Sequence, residues 1–351
     1  MRQTLCYIPE TCYGIPVFGW GWGLAMLVAA VILVHACQYI KHRKIDGLGD
    51  SLGLLVLGGI ILVFILPTIT QPGVGTPIRG YGFCLLLAIF AAFFLVLHLA
   101  KKQNISGEKV ISLCFWTVIA GIVGARLFYV TEYWQKMLRF DEAGQILPIE
   151  SLFSLFNIAD GGIVVFGSIL GGMLAALVFM LLNKMPILRT FDLMAPALML
   201  GIAIGRIGCL LNGCCFGAVT ESSWGIVFPP DSPAHFHQVA KGMVAESSLL
   251  VLPVYPTQII SSGLALLLCV TLLILRKSRL FRERDGLVFA TFMILYSMGR
   301  FMIEFVRNDE DSFFGTGLTV SQNVCTIFGL AGVALLVYLY RNRASLSCSS
   351  S

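Results

Sequence analysis

The sequence contains few charged residues, since Asp, Glu, Lys and Arg make up only 12% of it, against about 25% in soluble proteins. This scarcity excludes an ordinary cytosolic domain. The chain also lacks an internal repeat and a low-complexity linker, which excludes a solenoid and a string of separate domains. Hydrophobic residues instead account for 57% of the chain. They form blocks long enough to cross about 30 Å of hydrocarbon.

These apolar blocks predict about nine transmembrane helices. Because unpaired backbone polar groups cannot face lipid, each block is expected to be a helix, and the predicted fold class is an all-α, polytopic membrane bundle. The predicted spans are residues 17–38, 51–69, 81–100, 110–131, 162–183, 190–211, 254–275, 287–306 and 319–340.

The basic residues predict the orientation. The net charge of +5 comes from short Lys and Arg clusters between apolar blocks, which is typical of topology signals and does not indicate a nucleic-acid partner. With the amino terminus outside, fifteen of the 24 basic residues fall on the inner side. They are Lys41, Arg43, Lys44, Lys101, Lys102, Lys109, Lys184, Arg189, Arg276, Lys277, Arg279, Arg282, Arg284, Arg341 and Arg343. The positive-inside rule therefore predicts the amino terminus out and the carboxyl terminus in.

Three arginines are predicted to lie within spans, toward their outer ends: Arg126, Arg206 and Arg300. An arginine at the centre of a span costs about 2.5–3.5 kcal/mol on insertion scales, so such a residue usually faces a partner or a wet cavity. No carboxylate lies near Arg206 in the sequence. A phosphate is therefore its natural counter-ion.

The eighth predicted span carries a row of charges on one face. Arg300, Glu304 and Arg307 are spaced i, i+4 and i+7, which places Glu304 between two guanidinium groups. One interpretation is a structural ion-pair ladder in which Arg307 reaches the membrane surface. The other is that Glu304 orients Arg300 toward a phosphate, which the planar guanidinium suits well. The sequence leaves both open.

Three cysteines lie close together in sequence: Cys209, Cys214 and Cys215. With His235 and His237 they could be considered metal ligands, but adjacent cysteines do not match the paired spacing of zinc sites. No metal site is therefore predicted. A disulfide on the outer side remains possible, and packed or free thiols are favoured.

Two glycine pairs have the four-residue spacing that allows helices to approach closely. They are Gly167 with Gly171, and Gly201 with Gly205. Both pairs are interpreted as packing positions.

Several motifs follow one another in a characteristic order. The central one runs from Gly205-Arg206-Ile207-Gly208 to Asn212-Gly213. The others are Arg79-Gly80-Tyr81-Gly82, Gly124-Ala125-Arg126 with Tyr129, Gly161-Gly162-Ile163 through Gly171, Trp224-Gly225-Ile226-Val227-Phe228-Pro229, Tyr255-Pro256-Thr257-Gln258, Arg300-Phe301 with Glu304 and Arg307, and Ser321-Gln322. Over residues 75–343 this series resembles bacterial prolipoprotein diacylglyceryl transferases.

The resemblance implies a reaction and a site. Members of this family move the diacylglyceryl group of phosphatidylglycerol to the lipobox cysteine of a prolipoprotein signal peptide, forming a thioether and releasing glycerol phosphate. They do so at the outer face of the bacterial inner membrane, without a metal or organic cofactor. The implied partners are the bilayer, phosphatidylglycerol and the prolipoprotein, and the oligomeric state stays open. The implied catalytic residues are Arg206, Arg300, Glu304 and Tyr81, and the implied substrate-binding residues are Asn212, Gly213, Gln258, Arg126 and Arg307.

The sequence departs from the family pattern at four polar positions. Phe166 and Tyr255 stand where the family has histidines, Cys209 replaces an asparagine, and Cys214 replaces an acidic residue. The substrate thiol must then be deprotonated in another way. The candidates are water, Glu304, and the loop histidines His235 and His237.

The predicted domain organisation has three parts. Residues 1–74 are an additional two-helix membrane hairpin, residues 75–343 are the transferase-like domain, and residues 344–351 are a short cytoplasmic tail. Two rival functions stay open, a catalytically silent lipid-binding homologue and a transporter or flippase. A transporter would show broken helices in corresponding places of two halves, and Pro67 and Pro196 are not so arranged.

Overall fold

The computed structural model describes residues 3–42, 55, 59, 62–63, 66–138, 147, 164–245, 247–307 and 317–348. This part of the chain is mostly helical, with four short strands. In chain order the elements are β1 (Thr4–Ile8), β2 (Thr11–Cys12), β3 (Ile15–Pro16), α1 (Trp22–His42), α2 (Leu66–Ile69), β4 (Thr76–Arg79), α3 (Gly80–Lys102), α4 (Gly107–Glu132), α5 (Trp134–Met137), α6 (Val165–Leu182), α7 (Ile187–Asn212), α8 (Pro233–Ala240), α9 (Thr257–Leu275), α10 (Arg279–Arg282), α11 (Leu287–Arg307) and α12 (Val320–Cys348).

Six of the described helices are long and apolar enough to cross a membrane: α3, α4, α7, α9, α11 and the Val320–Arg341 part of α12. Helices α1 and α6 contain shorter apolar stretches, Trp22–Leu33 and Phe166–Leu182. A multi-pass, mostly helical membrane protein is therefore confirmed. The count of nine spans and the orientation stay predictions, and most of the predicted span 51–69 lies outside the described residues.

The chain forms two compact units. The first unit comprises Met1–Leu86 and Gly205–Ile259, and the second comprises Leu87–Ile204 and Ile260–Ser351. Helices α3, α7 and α9 each contribute residues to both units. This division differs from the three predicted domains, which stay a prediction.

In the first unit the amino-terminal segment pairs with the strand that leads into α3. Strands β1 and β4 are antiparallel, with Ile8 opposite Thr76. The backbone N–H of Gly80 also donates to the carbonyl oxygen of Gln3 at 2.9 Å. This pairing holds the start of α3, where Tyr81 lies. Strands β2 and β3 form a separate short hairpin.

In the second unit, α4 and α6 pack through glycines. A Cβ added at Gly124 would lie 2.4 Å from the carbonyl oxygen of Gly167, and one added at Gly171 would lie 3.1 Å from the Cα of Gly124. The predicted packing role of Gly167 and Gly171 is therefore confirmed. Gly201 also packs against a neighbouring helix, since a Cβ there would lie 3.7 Å from Cβ of Ala92 and 3.8 Å from the carbonyl oxygen of Ala88 on α3. At Gly205 the packing prediction is wrong for the described residues, because an added Cβ would meet none of their atoms within 4 Å.

A buried carboxylate on α7 caps the start of α11. The Oδ2 atom of Asp192 accepts from the N–H of Gly286 at 2.6 Å, and its Oδ1 atom accepts from the N–H of Phe289 at 2.7 Å. The first N–H groups of a helix have no partner within the helix, and a negative charge is favourable at that end. Asp192 therefore joins two helices of the second unit.

Replacing this carboxylate is expected to destabilise the protein. Asp192→Ala removes the acceptor for two N–H groups at the start of α11 and should lower the free energy of unfolding by about 1–2 kcal/mol. Thermal denaturation of the detergent-purified chain measures the change. The exposed neighbour Asp285 is the control, since Asp285→Ala should change stability by no more than about 0.5 kcal/mol. Equal losses in both variants would contradict the capping role.

Candidate active site

The central sequence motif lies at the carboxyl end of α7, where the chain makes a sharp turn. The N–H of Gly213 donates to the carbonyl oxygen of Leu210 at 3.3 Å, and the N–H of Cys214 donates to that of Cys209 at 3.1 Å. Gly213 has a φ of +75°. This is a Schellman motif, in which glycine adopts the left-handed conformation after the last helical residue. The turn brings the following residues back against the last turn of α7.

Gly213 is also tightly packed, and this gives a testable expectation. A Cβ at this position would lie 3.2 Å from Cδ1 of Phe228 and 3.4 Å from Cβ of Ser232. Gly213→Ala therefore combines left-handed backbone strain, which costs about 1–2 kcal/mol, with steric crowding. Gly242 is the matched control, because it has a φ of +69° with no atom within 4 Å of the added Cβ. Gly213→Ala should lower the melting temperature more than Gly242→Ala, and equal shifts would contradict the packing argument.

The loop after α7 is held by buried hydrogen bonds. The side chain of Gln238 is fully buried, and its amide both donates to the carbonyl oxygen of Leu252 and accepts from its N–H, each at 2.9 Å. Ile226 and Val254 exchange two backbone hydrogen bonds of 3.0 and 3.1 Å. A small apolar cluster packs beneath the loop: Phe216, Phe228, Ala234, Val251 and Val254. The loop is thus a fixed support within the first unit.

His235 belongs to this support. Its Nδ1 atom accepts from the N–H of Asp231 at 3.2 Å, so its Nε2 atom carries the proton and donates to the carbonyl oxygen of Ser248 at 2.9 Å. Both ring nitrogens are therefore engaged. His235 can therefore accept a proton only if its bond with Asp231 breaks, and its role in deprotonating the substrate thiol stays a prediction. The ring of His237 packs edge-on against Phe216, with centroids 5.4 Å apart.

Tyr81 and Arg206 lie together in the first unit. A Cβ added at Gly208 would lie 3.0 Å from Cβ of Cys84 and 3.4 Å from Cδ2 of Tyr81, so the first turn of α3 lies against the end of α7. Tyr81 is 42% exposed, and it lies close enough to Arg206 to feel the charge of the guanidinium. Arg206 is half-buried and makes no hydrogen bond or ion pair with any described residue. Its charge therefore lacks a carboxylate partner in this part of the chain.

Gln258 and Thr257 hold the cysteine segment in place. Asn212, the last residue of α7, acts to lower the pKa of the Cys214 thiol. Gln258 is fully buried, and its Nε2 atom donates to the carbonyl oxygen of Cys214 at 2.8 Å. The hydroxyl of Thr257 donates to the carbonyl oxygen of Cys215 at 2.7 Å. The Oε1 atom of Gln258 is buried without a partner among the described atoms, and a buried acceptor favours a further donor.

The three cysteines converge. The Sγ atoms of Cys209, Cys214 and Cys215 all lie within 4.8 Å of one another, and all three residues are half-buried thiols. Cys215 has a φ of +60°, which turns its side chain back toward the helix end. The hydrogen bond with Cys209 lowers the pKa of the Cys214 thiol, but the bond with Cys215 and burial raise this pKa above its ordinary value. The sequence did not predict this cluster, because the convergence depends on the turn at Gly213.

In the second unit Arg300 and Glu304 form a buried ion pair. Nη1 of Arg300 donates to Oε2 of Glu304, and Nη2 donates to the hydroxyl of Ser321 at 3.2 Å. The Glu304 side chain is 1% exposed and that of Arg300 is 13% exposed. Oε1 of Glu304 is buried without a partner among the described atoms. The contact is the one expected from their i, i+4 spacing, and Arg307 lies half-buried at the end of the same helix.

A capping box fixes Ser321, the partner of Arg300. The hydroxyl of Thr319 accepts from the N–H of Gln322 at 3.2 Å, while the Gln322 side chain accepts from the N–H of Thr319 at 3.0 Å. The sequence Thr-x-x-Gln before an apolar run is the signal of this motif. Sequence analysis assigned no role to Ser321, which this signal would have placed in the first turn of α12.

Arg126 lies near the end of α4 and is buried. Its guanidinium lies 5.3 Å from the centre of the Tyr129 ring, and its Nη2 atom lies 3.9 Å from the sulfur of Met137. These contacts occupy the guanidinium within the second unit, and a substrate contact stays a prediction. The Gly-Gly motif at 161–163 lies outside the described residues.

The chain is similar to one family of membrane enzymes. The sequence profile described as prolipoprotein diacylglyceryl transferase matches residues 67–338. A phosphatidylglycerol–prolipoprotein diacylglyceryl transferase of Rhodopirellula baltica is 28% identical over 99% of this chain and 91% of its own length. A second enzyme of that name, from Clostridium perfringens, is 34% identical over 75% of this chain and 91% of its own length. One from Nostoc sp. is 31% identical over 77% of this chain and 88% of its own length.

Proposed function

Because the chain belongs to the prolipoprotein diacylglyceryl transferase family, we propose that it transfers the diacylglyceryl group of phosphatidylglycerol to a prolipoprotein. The observation that carries this proposal concerns Arg206, which lies beside Tyr81. Arg206 is half-buried and has no ion-pair partner among the described residues. A guanidinium in a membrane helix favours an anion as its counter-charge. The phosphate of the lipid headgroup supplies that charge.

The reaction needs a nucleophile and a stabilised leaving group. The substrate cysteine attacks the glyceryl carbon as a thiolate, the carbon–oxygen bond to the phosphate breaks, and glycerol phosphate leaves with its charge on the phosphate oxygens. Arg206 donates two parallel hydrogen bonds to these oxygens, and the Tyr81 hydroxyl donates a third. These donors act where charge develops, which is the usual largest source of catalysis.

Arg300 is proposed as a further phosphate ligand, with Glu304 as the residue that orients it. The ion pair between them and the hydrogen bond from Arg300 to Ser321 support this role, because they fix the plane of the guanidinium. Asn212, Gly213, Gln258, Arg126 and Arg307 are proposed to line the substrate-binding region.

The remaining parts of the proposal concern the membrane. The protein is proposed to have about nine spans, with the amino terminus outside, in the bacterial inner membrane. The site opens toward the outer face, where the lipobox cysteine of a signal peptide arrives. The support is the distribution of basic residues between spans.

A direct assay tests the function. The purified protein is mixed with phosphatidylglycerol vesicles and a synthetic lipobox peptide, and mass spectrometry measures the diacylglyceryl thioether. The expected result is a lipidated peptide with release of glycerol phosphate, and no product from the Cys→Ser peptide. Retention of phosphatidylglycerol without product, under conditions in which a standard enzyme uses the same substrates, would indicate the silent lipid-binding homologue instead.

A further inference from the structure

The three converging thiols at the end of α7 have the donor set of a metal site. The Sγ atoms of Cys209, Cys214 and Cys215 lie within 4.8 Å of one another. A zinc–sulfur bond of about 2.3 Å places the sulfurs of a tetrahedral site about 3.8 Å apart. Small side-chain rotations therefore close the cluster around one ion, without a change in the backbone.

The number of ligands indicates what kind of zinc site this is. Structural zinc ions are held by four protein ligands, whereas catalytic ones are held by three and keep the fourth position for water or substrate. The described chain offers three sulfurs at this place, while His235, the nearby histidine in the loop, uses both ring nitrogens elsewhere. Each of the three cysteines is partly exposed.

The position of the cluster connects it with the transfer reaction. Cys209 follows Arg206 by three residues on α7, and a Cβ added at the intervening Gly208 would lie 3.4 Å from Cδ2 of Tyr81. The thiol cluster and two of the proposed phosphate ligands, Arg206 and Tyr81, therefore lie at the same end of α7 within the first unit. An ion held there would place a fourth ligand next to the lipid phosphate.

We propose that Cys209, Cys214 and Cys215 bind Zn²⁺ and that the thiol of the substrate cysteine becomes its fourth ligand. The inference rests on the proposed function. It supplies a way to deprotonate the substrate thiol, which is needed because Cys209 and Cys214 stand where the family has polar groups. A thiol that coordinates zinc loses its proton and becomes a nucleophile at neutral pH.

The step balances without an oxidant or reductant. The substrate thiol gives its proton to solvent as its sulfur binds the zinc. The same sulfur then donates an electron pair to the glyceryl carbon, the carbon–oxygen bond breaks, and its electron pair leaves with glycerol phosphate. The neutral thioether is a weaker ligand than a thiolate and dissociates, which leaves the zinc with its three cysteines.

Metal content is the first test, and it does not depend on activity. The full chain is purified in detergent under reducing conditions, equilibrated with Zn²⁺, dialysed and analysed by mass spectrometry for metals. About one zinc ion per chain is expected, with a loss of most of it in Cys214→Ser or Cys209→Ser. Cys114→Ser is the matched control, because Cys114 is also a half-buried thiol but lies in the second unit. A wild-type chain without zinc would overturn the inference.

The fourth ligand is tested with Co²⁺ in place of zinc. Thiolate ligands give Co²⁺ a charge-transfer absorption in the near ultraviolet, and a fourth thiolate increases it. The lipobox peptide should strengthen this band, and the Cys→Ser peptide should not. If neither peptide changes the intensity of the charge-transfer band, the role of the substrate thiol is contradicted even if the metal binds.

Chelation separates this inference from the proposed function. Transfer should fall with chelator and return with Zn²⁺. Full transfer by the metal-free chain would overturn the zinc inference and leave the proposed function intact. No transfer by the zinc-loaded chain, with a standard enzyme active on the same substrates, would instead contradict the proposed function.

Discussion

Arg206→Ala is expected to lower the rate of diacylglyceryl transfer by about 10²–10³-fold, the usual effect of removing one charge-stabilising donor. The loss arises because the phosphate that leaves carries a charge that Arg206 stabilises. The folded state should change little, since Arg206 makes no hydrogen bond or ion pair with any residue the structure describes. The thioether product from phosphatidylglycerol and a lipobox peptide measures the rate, and the melting temperature measures folding.

Two further variants sharpen this test. Arg206→Lys keeps the charge but loses the planar fork, so it should recover only part of the rate. Arg279 is the control, because its side chain is 93% exposed and forms a surface ion pair with Glu283 four residues later. Arg279→Ala should transfer at the wild-type rate. A wild-type rate in Arg206→Ala would remove the basis of the proposed site.

Arg300→Met is expected to destabilise the protein by about 3–5 kcal/mol, because it leaves the buried Glu304 carboxylate unpaired. The carboxylate is 1% exposed, so water cannot replace the guanidinium. Replacing both residues, in Arg300→Met/Glu304→Met, should restore most of the stability, since two apolar side chains of similar volume need no partner. Thermal denaturation of the two variants measures the difference.

The double variant also separates the two interpretations of this ion pair. If Arg300 contacts the phosphate, the double variant is folded but transfers poorly. If the pair is only structural, the double variant transfers as well as the wild type, and the proposed role of Arg300 is wrong. A double variant as unstable as Arg300→Met would contradict the ion-pair argument itself.

Hydropathy predicted six of the described membrane helices closely, because their length and composition are local properties. The predicted span 81–100 corresponds to Gly80–Lys102, and 287–306 corresponds to Leu287–Arg307. The spacing of Arg300 and Glu304 likewise predicted their contact, since residues four apart face each other on a helix.

Contacts between distant segments could not be predicted in this way. The pairing of β1 with β4 joins residues about seventy positions apart, and Asp192 accepts from the N–H of Gly286, 94 residues later. The thiol cluster depends on a left-handed Gly213 followed by a left-handed Cys215. The cysteine spacing alone argued against a metal site, whereas the turn brings the sulfurs together.

The cap at the start of α11 also has a consequence for biogenesis. Asp192 enters the membrane with α7, but its two donors are Gly286 and Phe289. At about 5–20 residues per second, a ribosome needs roughly 5–20 s to make the intervening chain. During that interval the carboxylate has neither donor, so the aqueous end of α7 must stay hydrated until α11 is inserted. The amino-terminal half of α7 therefore reaches its final packing only after α11 has been synthesised and inserted.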